Sequence, residues 1–120
     1  MNLVGDYGFE DSLFHDNGRE WDASTLYEAV KSQKIRAYQF PLKYYNMTIK
    51  RYNGVCDVAD MAHHVKRCLA VDLSIPIILC PDGSVLDGYH RITMALAQGL
   101  DFVMAYRLKE MPPPDRVDVE

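Results

Sequence analysis

The fold is decided by the stretch PIILCPDGSVLDGYHRITMALAQG, residues 76–99, whose pattern changes three times. Its apolar run, residues 77–79, is typical of a strand that is buried on both faces. PDGS then predicts a turn, and the following VL predicts a very short strand. From Tyr89 onward, apolar residues recur at helical spacing, and Gly99 suits the position just after a helix end. The stretch therefore predicts a strand, a turn, a second strand and a helix.

The flanking sequence adds two helices and two strands to this unit. Helices are predicted over residues 22–33 and 57–73, and strands over residues 35–45 and 102–108. The second of these helices carries a full apolar stripe, formed by Val58, Met61, Ala62, Val65, Cys68 and Leu69. The element order is α, β, α, β, β, α, β. It predicts a small α+β domain, with a mixed sheet covered by two or three helices.

Charge is unevenly distributed along the 120 residues and suggests three segments. Residues 1–20 are predicted as an acidic, irregular N-terminal segment with a turn at Asn17-Gly18, and residues 21–109 as the domain. Residues 110–120 are predicted as an extended acidic tail. The middle is mildly basic while the net charge is −4. This distribution favours a small anionic ligand, or a charge match within the protein, over duplex DNA, which normally needs a strongly basic face.

Composition excludes several other classes of protein. No window approaches the ~18 consecutive apolar residues of a membrane span, and the first residues lack the basic and apolar regions of a signal peptide. We therefore expect a cytoplasmic protein without a membrane partner. The three cysteines form no CxxC pair, which argues against a zinc knuckle or a thioredoxin-like site.

The junction Asp87-Gly88-Tyr89-His90-Arg91 places two cationic side chains at a predicted helix start. Cations there are disfavoured by roughly 0.3–1 kcal/mol each at exposed positions, because the helix dipole is positive at that end. A bound anion, best a phosphate, would explain them. The structural alternative is that Asp87 caps the helix, Gly88 makes the turn and Arg91 pairs with a surface acid.

The context of this motif resembles the ParB/sulfiredoxin-like superfamily, in particular a ParB-like branch of bacteria and phages. The branch has the pattern H-x-x-R, D-L, P-I-I-L and D-G-x-x-x-D-G-x-H-R. The matching residues are His64, Arg67, Asp72, Leu73, Pro76 to Leu79, Asp82, Gly83, Asp87, Gly88, His90 and Arg91. The resemblance covers residues 57–108, and more weakly residues 21–42. The closest letters are those of the free-serine kinases, D-G-H-H-R.

The resemblance implies a nucleotide site that binds ATP or ADP with Mg²⁺. His90 and Arg91 would bind phosphate, and Gly88 and Tyr89 would offer backbone N–H groups. His64 and Arg67 would reach the site from the neighbouring helix, although they also fit an exposed ion-pair row with Asp60.

Two acidic roles and two departures from the family pattern set the chemistry that the resemblance implies. Asp87 would act as base or orient magnesium, in competition with a capping role. A second catalytic acid has no clear position, with Glu20 and Glu28 as candidates. Tyr89 replaces the catalytic cysteine of sulfiredoxins, which removes their reductase chemistry, and His90 departs from the two arginines of CTP-binding ParB proteins.

Two classes of function remain open on the sequence. One is a phosphotransferase or nucleotidase that acts on a small substrate. The other is a non-catalytic binding module that serves DNA maintenance or a phage–host or plasmid–host contact. A separate feature is the stretch at residues 43–52, where tyrosines are interspersed with basic residues. This pattern is found on single-strand nucleic-acid surfaces and, more commonly, on a guarded sheet edge.

Overall fold

The computed structural model describes residues 13–44 and 57–118. The predicted acidic segment is thus described only from residue 13 onward. Most of the tyrosine-rich and basic stretch at residues 43–52 lies outside the described residues. In the part of the chain that is described, no helix is long and apolar enough to cross a membrane.

The chain forms an α+β structure, as the sequence predicts. Its elements are β1 (Leu13–Asp16), β2 (Arg19–Asp22), α1 (Ala23–Ser32), β3 (Tyr38–Pro41), a 3-10 helix (Leu42–Tyr44), α2 (Val58–Ala70), β4 (Ile77–Leu79), β5 (Val85–Asp87), α3 (Tyr89–Ala97) and β6 (Phe102–Arg107). β1 and β2 form a two-stranded antiparallel sheet. The remaining strands form a mixed sheet in the order β3-β6-β4-β5, in which only β4 and β6 are parallel.

The β1–β2 hairpin turns at Asn17 and Gly18, as the sequence predicts. Both residues have positive φ angles, 54° and 77°. Two successive residues with positive φ are typical of the type I′ turn, whose twist matches that of the flanking strands. Asn and Gly are the residues that adopt this conformation most readily, so the dipeptide fixes the hairpin locally.

β4 lies at the centre of the core and is buried on both faces, as its apolar run predicts. Ile77 and Leu79 pack with Ile92 of α3 on one face. Ile78 packs with Leu26 of α1 on the other. α1 and α3 therefore cover opposite faces of the mixed sheet. This arrangement brings the strand-to-helix junction at residue 88 against the middle of the sheet.

α2 forms as predicted, but its apolar stripe is not its buried face. Cys68 is the buried member of the stripe, whereas the side chains of Val58 and Leu69 are 86% and 74% exposed. The helix packs against α3. His64 and Cys68, four residues apart, lie on this shared face. Periodicity identified the helix correctly, but the face that is buried depends on its contact with α3.

β3 is shorter than the strand predicted over residues 35–45. Extended structure ends at Pro41, which pairs with Phe102 at the last position of the β3–β6 register, and a 3-10 helix follows. Among the described strands, β3 lies at an edge of the sheet, where the missing N–H of Pro41 is tolerated.

The C-terminal segment, residues 110–118, forms no regular helix or strand and is bonded to β2 and to the start of α1. The Asp115 carboxylate accepts hydrogen bonds from the Asp22 N–H at 2.8 Å and from the Thr25 hydroxyl at 2.9 Å. The Arg116 guanidinium donates to Glu20 and Asp22, at 2.7 Å each. Basic and acidic groups of distant sequence segments thus neutralise each other on this side of the protein.

Candidate functional site

Gly88 forms the junction between β5 and α3 and occupies the N-cap position of the helix. Its φ of 126° lies in a region that residues with a side chain rarely adopt. A Cβ at this position would lie 2.6 Å from the Cβ of Ile77 and would also overlap its Cγ2. The first turn of α3 is therefore held directly against β4. The prediction that Asp87 is the N-cap is wrong, because the helix begins one residue later and has no side-chain cap.

Asp87 and Arg91 form a buried ion pair beneath this junction. The Arg91 Nη2 lies 2.6 Å from the Asp87 Oδ2, and the two side chains are 8% and 10% exposed. The Arg91 Nη1 donates to the Tyr27 hydroxyl at 2.9 Å and to the carbonyls of Ile75 and Pro76 at 3.0 Å and 2.9 Å. The guanidinium therefore connects α1, the approach to β4, the end of β5 and α3. Pairing with an acid was one of the alternatives for Arg91, but the acid is Asp87 and it is buried.

Tyr27 is the member of this network that the sequence did not reveal. Its hydroxyl lies 3.0 Å from the Pro76 carbonyl and 3.3 Å from the Asp87 Oδ2, and it accepts from Arg91. Burial raises the pKa of Tyr27 well above its usual value, so the hydroxyl stays protonated. A single tyrosine on α1 has no local signal that links it to a motif sixty residues later.

The charge of Arg91 is maintained despite its burial. Burial acts to lower the pKa of Arg91, but Tyr27 and Asp87 outweigh this effect, and the pKa is raised. Arg91 therefore stays charged as the partner of Asp87 behind the first turn of α3. The hydrogen bonds of the guanidinium hold the Arg91 side chain inside the protein.

His64 of α2 and His90 of α3 meet at the start of α3. The His64 Nδ1 lies 3.0 Å from the His90 Nε2, and the rings are stacked with centroids 5.3 Å apart. At this distance one ring donates an N–H and the other accepts with a lone pair. The family pattern predicted that His64 would reach the motif from the neighbouring helix, and it contacts His90 directly.

Four basic residues act electrostatically on His90. The pKa of His90 is lowered to about 4, first by burial, then by Arg67 and His64, and less by His63 and Arg91. His90 is therefore neutral at pH 7 in the protein as it stands. A cluster of basic groups whose central imidazole is uncharged can accept an anion, because the anion would relieve their mutual repulsion.

The other residues singled out in the sequence have separate contacts. The Tyr89 hydroxyl donates to the Val85 carbonyl at 3.1 Å, and its ring packs against the core. Asp60 is exposed, and its N–H donates to the Asp57 carboxylate, the N-cap of α2. Glu20 binds Arg116, as described above. Glu28 is exposed, and its carboxylate lies 3.5 Å from the Lys31 ammonium.

Asp87 does not have the surroundings of a magnesium ligand. One of its carboxylate oxygens is bonded to Arg91 and to Tyr27, and a guanidinium in contact with a carboxylate repels a second cation. Within residues 13–44 and 57–118, three or more His, Cys, Asp or Glu side chains do not come together in a group that could hold a metal ion. We therefore assign no step to a metal held by Asp87.

Comparisons with protein-family models, with curated proteins and with solved structures found no match to this chain. The resemblance to the ParB/sulfiredoxin-like superfamily thus rests on the motif residues. The function is inferred from the site itself.

Proposed function

We propose that this chain is a cytoplasmic, ParB/sulfiredoxin-like domain that binds the phosphate groups of an adenine nucleotide at the start of α3. One observation carries the proposal. His64 and His90, from two different helices, meet beside a helix N-terminus, and four basic residues, Arg67, His64, His63 and Arg91, lower the pKa of His90. A helix N-terminus also favours anions through its dipole and its N–H groups.

In this proposal each residue of the motif has a distinct role. Gly88 holds the helix start against β4, and the first turn of α3, from Tyr89 onward, supplies N–H groups. His90 and His64 contact the phosphate from the two helices, and Arg67 adds charge beside them. Arg91 acts from behind the helix start through its buried charge, because its guanidinium does not face solvent.

The proposed activity is phosphoryl transfer to, or phosphate removal from, a small substrate, with ATP or ADP as the nucleotide. In the cell Mg²⁺ would arrive bound to the nucleotide phosphates, as is usual for this ion. Asp87 would serve as base only if its ion pair with Arg91 opened. Its 2.6 Å contact with Arg91 therefore favours the second candidate, a binding module without catalysis that serves DNA maintenance or a phage–host or plasmid–host contact.

Calorimetric titration with ATP, ADP and CTP, each with Mg²⁺, tests the proposal. We expect binding of ATP or ADP, and a loss of at least tenfold in affinity for His90→Ala and for His64→Ala, from about 1.4 kcal/mol per lost phosphate contact. His15→Ala is the matched control, because His15 lies on the β1–β2 hairpin. Absence of binding by the folded wild-type chain, or equal affinity in all variants, would contradict the proposal.

Release of phosphate from ATP separates the two candidates. The first predicts turnover that falls sharply in Asp87→Asn while nucleotide binding is kept. The second predicts binding without turnover, in the wild type and in the variant alike. Circular dichroism of each variant controls for loss of the fold.

A further inference from the structure

The Tyr27 hydroxyl connects α1 to the approach to β4 and to the first turn of α3. It accepts a hydrogen bond from the Arg91 Nη1 at 2.9 Å, and it lies 3.0 Å from the Pro76 carbonyl and 3.3 Å from the Asp87 Oδ2. A phenol carries one proton, so it can donate to one of these two acceptors at a time. The shorter distance favours the Pro76 carbonyl. Tyr27 therefore holds the Arg91 guanidinium and the approach to β4 against each other.

The restraint on Arg91 extends to the residues that would bind the phosphate. His90 and Arg91 are the second and third residues of α3. A side chain that is fixed at Arg91 also fixes the backbone of this first turn, whose N–H groups have no acceptor within the helix. His90 in turn contacts His64 of α2 at 3.0 Å. The first turn of α3 is thus connected to α1 through Arg91 and to α2 through His90.

Packing of the Tyr27 ring does not by itself require the hydroxyl. The ring packs against the apolar cluster that contains Leu26 and Ile78, and a phenylalanine ring would fill the same space. A buried hydroxyl costs free energy unless it is hydrogen-bonded. Here it is bonded to Arg91 and to Pro76, so the polar end of Tyr27 serves the helix start while its ring serves the core.

We propose that Tyr27 is a positioning residue for the phosphate site, which acts through Arg91 on the orientation of the first turn of α3. The inference rests on the proposed function and extends the site to α1, which lies outside the Asp87–Arg91 motif. Loss of the hydroxyl keeps every residue of the motif but loosens the turn that carries them. We expect the affinity for ATP to fall roughly three- to tenfold, the value of about one net hydrogen bond.

Calorimetric titration of full-length Tyr27→Phe with ATP and Mg²⁺ tests this role, at a temperature at which circular dichroism shows each variant to be folded. Tyr106→Phe is the matched control, because Tyr106 of β6 packs against the same apolar cluster. We expect the loss of affinity in Tyr27→Phe and wild-type affinity in Tyr106→Phe. A merely structural hydroxyl would lower the Tm of Tyr27→Phe but would leave the affinity of the folded chain unchanged.

NMR spectra of the same variants without ATP provide a second measurement. The ring resonances of His90 should shift in Tyr27→Phe and stay in place in Tyr106→Phe, with those of His15 on the hairpin as the internal reference. Where the wild type binds ATP, equal affinity in Tyr27→Phe would overturn this inference and leave the proposed function standing, and so would His90 resonances that do not move. Absence of ATP binding by the wild type would overturn the proposed function, and the inference with it.

Discussion

Replacement of Gly88 by alanine should destabilise the protein far more than the same change at Gly99. Both glycines have positive φ angles, 126° and 74°. An alanine at position 99 meets nothing within 4 Å, so only the left-handed backbone opposes it, at about 1–2 kcal/mol. At position 88 the backbone strain costs about 1–3 kcal/mol, and overlap with the buried Ile77 costs a further ~1–3 kcal/mol. The expected totals are therefore ~2–6 kcal/mol for Gly88→Ala and ~1–2 kcal/mol for Gly99→Ala.

Urea denaturation of the wild type and both variants measures this difference, with the free energy of unfolding taken from the midpoint and the slope. For a chain of 120 residues, 1 kcal/mol corresponds to about 4 °C in Tm, so thermal melts give an independent value. Equal losses in the two variants would refute the close packing of the helix start against β4. If Gly88→Ala lost little stability and kept the ATP affinity of the wild type, the motif would have no geometric need for a glycine.

Three further outcomes are expected. Burial lowers the pKa of His90 to about 4, so the unfolded chain binds the proton more readily and stability rises with pH between about 4 and 6.5. Urea midpoints of His90→Gln should show a flatter pH dependence in that window, while those of His15→Gln should follow the wild type. Arg91→Met leaves the Asp87 carboxylate buried without its partner and should lower the free energy of unfolding by about 3–5 kcal/mol. A double variant that adds Asp87→Asn should recover part of this loss. Equal losses in the single and the double variant would contradict the ion pair. Asp115→Ala removes an acceptor at the start of α1 and should lower stability by about 1 kcal/mol in thermal melts, and an unchanged Tm would show that the C-terminal contact contributes nothing.

Local signals predicted the elements well. Asn17-Gly18 specified its turn because both residues tolerate positive φ. The apolar run at residues 77–79 identified the central strand, since a strand covered on both faces has little choice but to be apolar throughout. The helix after Gly88 and its end at Gly99 were also predicted. In each case the signal that predicts the element lies within a few residues along the chain.

The role of individual side chains in the site was predicted less well. The motif drew attention to Arg91 as a ligand for an anion, whereas its guanidinium is bonded to Asp87 and to Tyr27 inside the protein. Its burial depends on how α1, β4 and α3 stack, which a local pattern does not contain. The contact of His64 with His90 was anticipated only through the family pattern, because the two residues are 26 positions apart.

By itself, then, the sequence determined the order and type of the elements from α1 onward and the position of the basic helix start, whereas β1 and β2 lie in a region predicted to be largely irregular. These follow from hydrophobic periodicity and from the backbone preferences of Gly, Asn and Pro, which act over short distances. Only the tertiary structure decided which charges of the motif are buried and which meet at the surface of α3. Desolvation and pairing of charges depend on the neighbours that packing provides, so Arg91 became an internal ion pair while His90 and His64 came together as the candidate site for an anion.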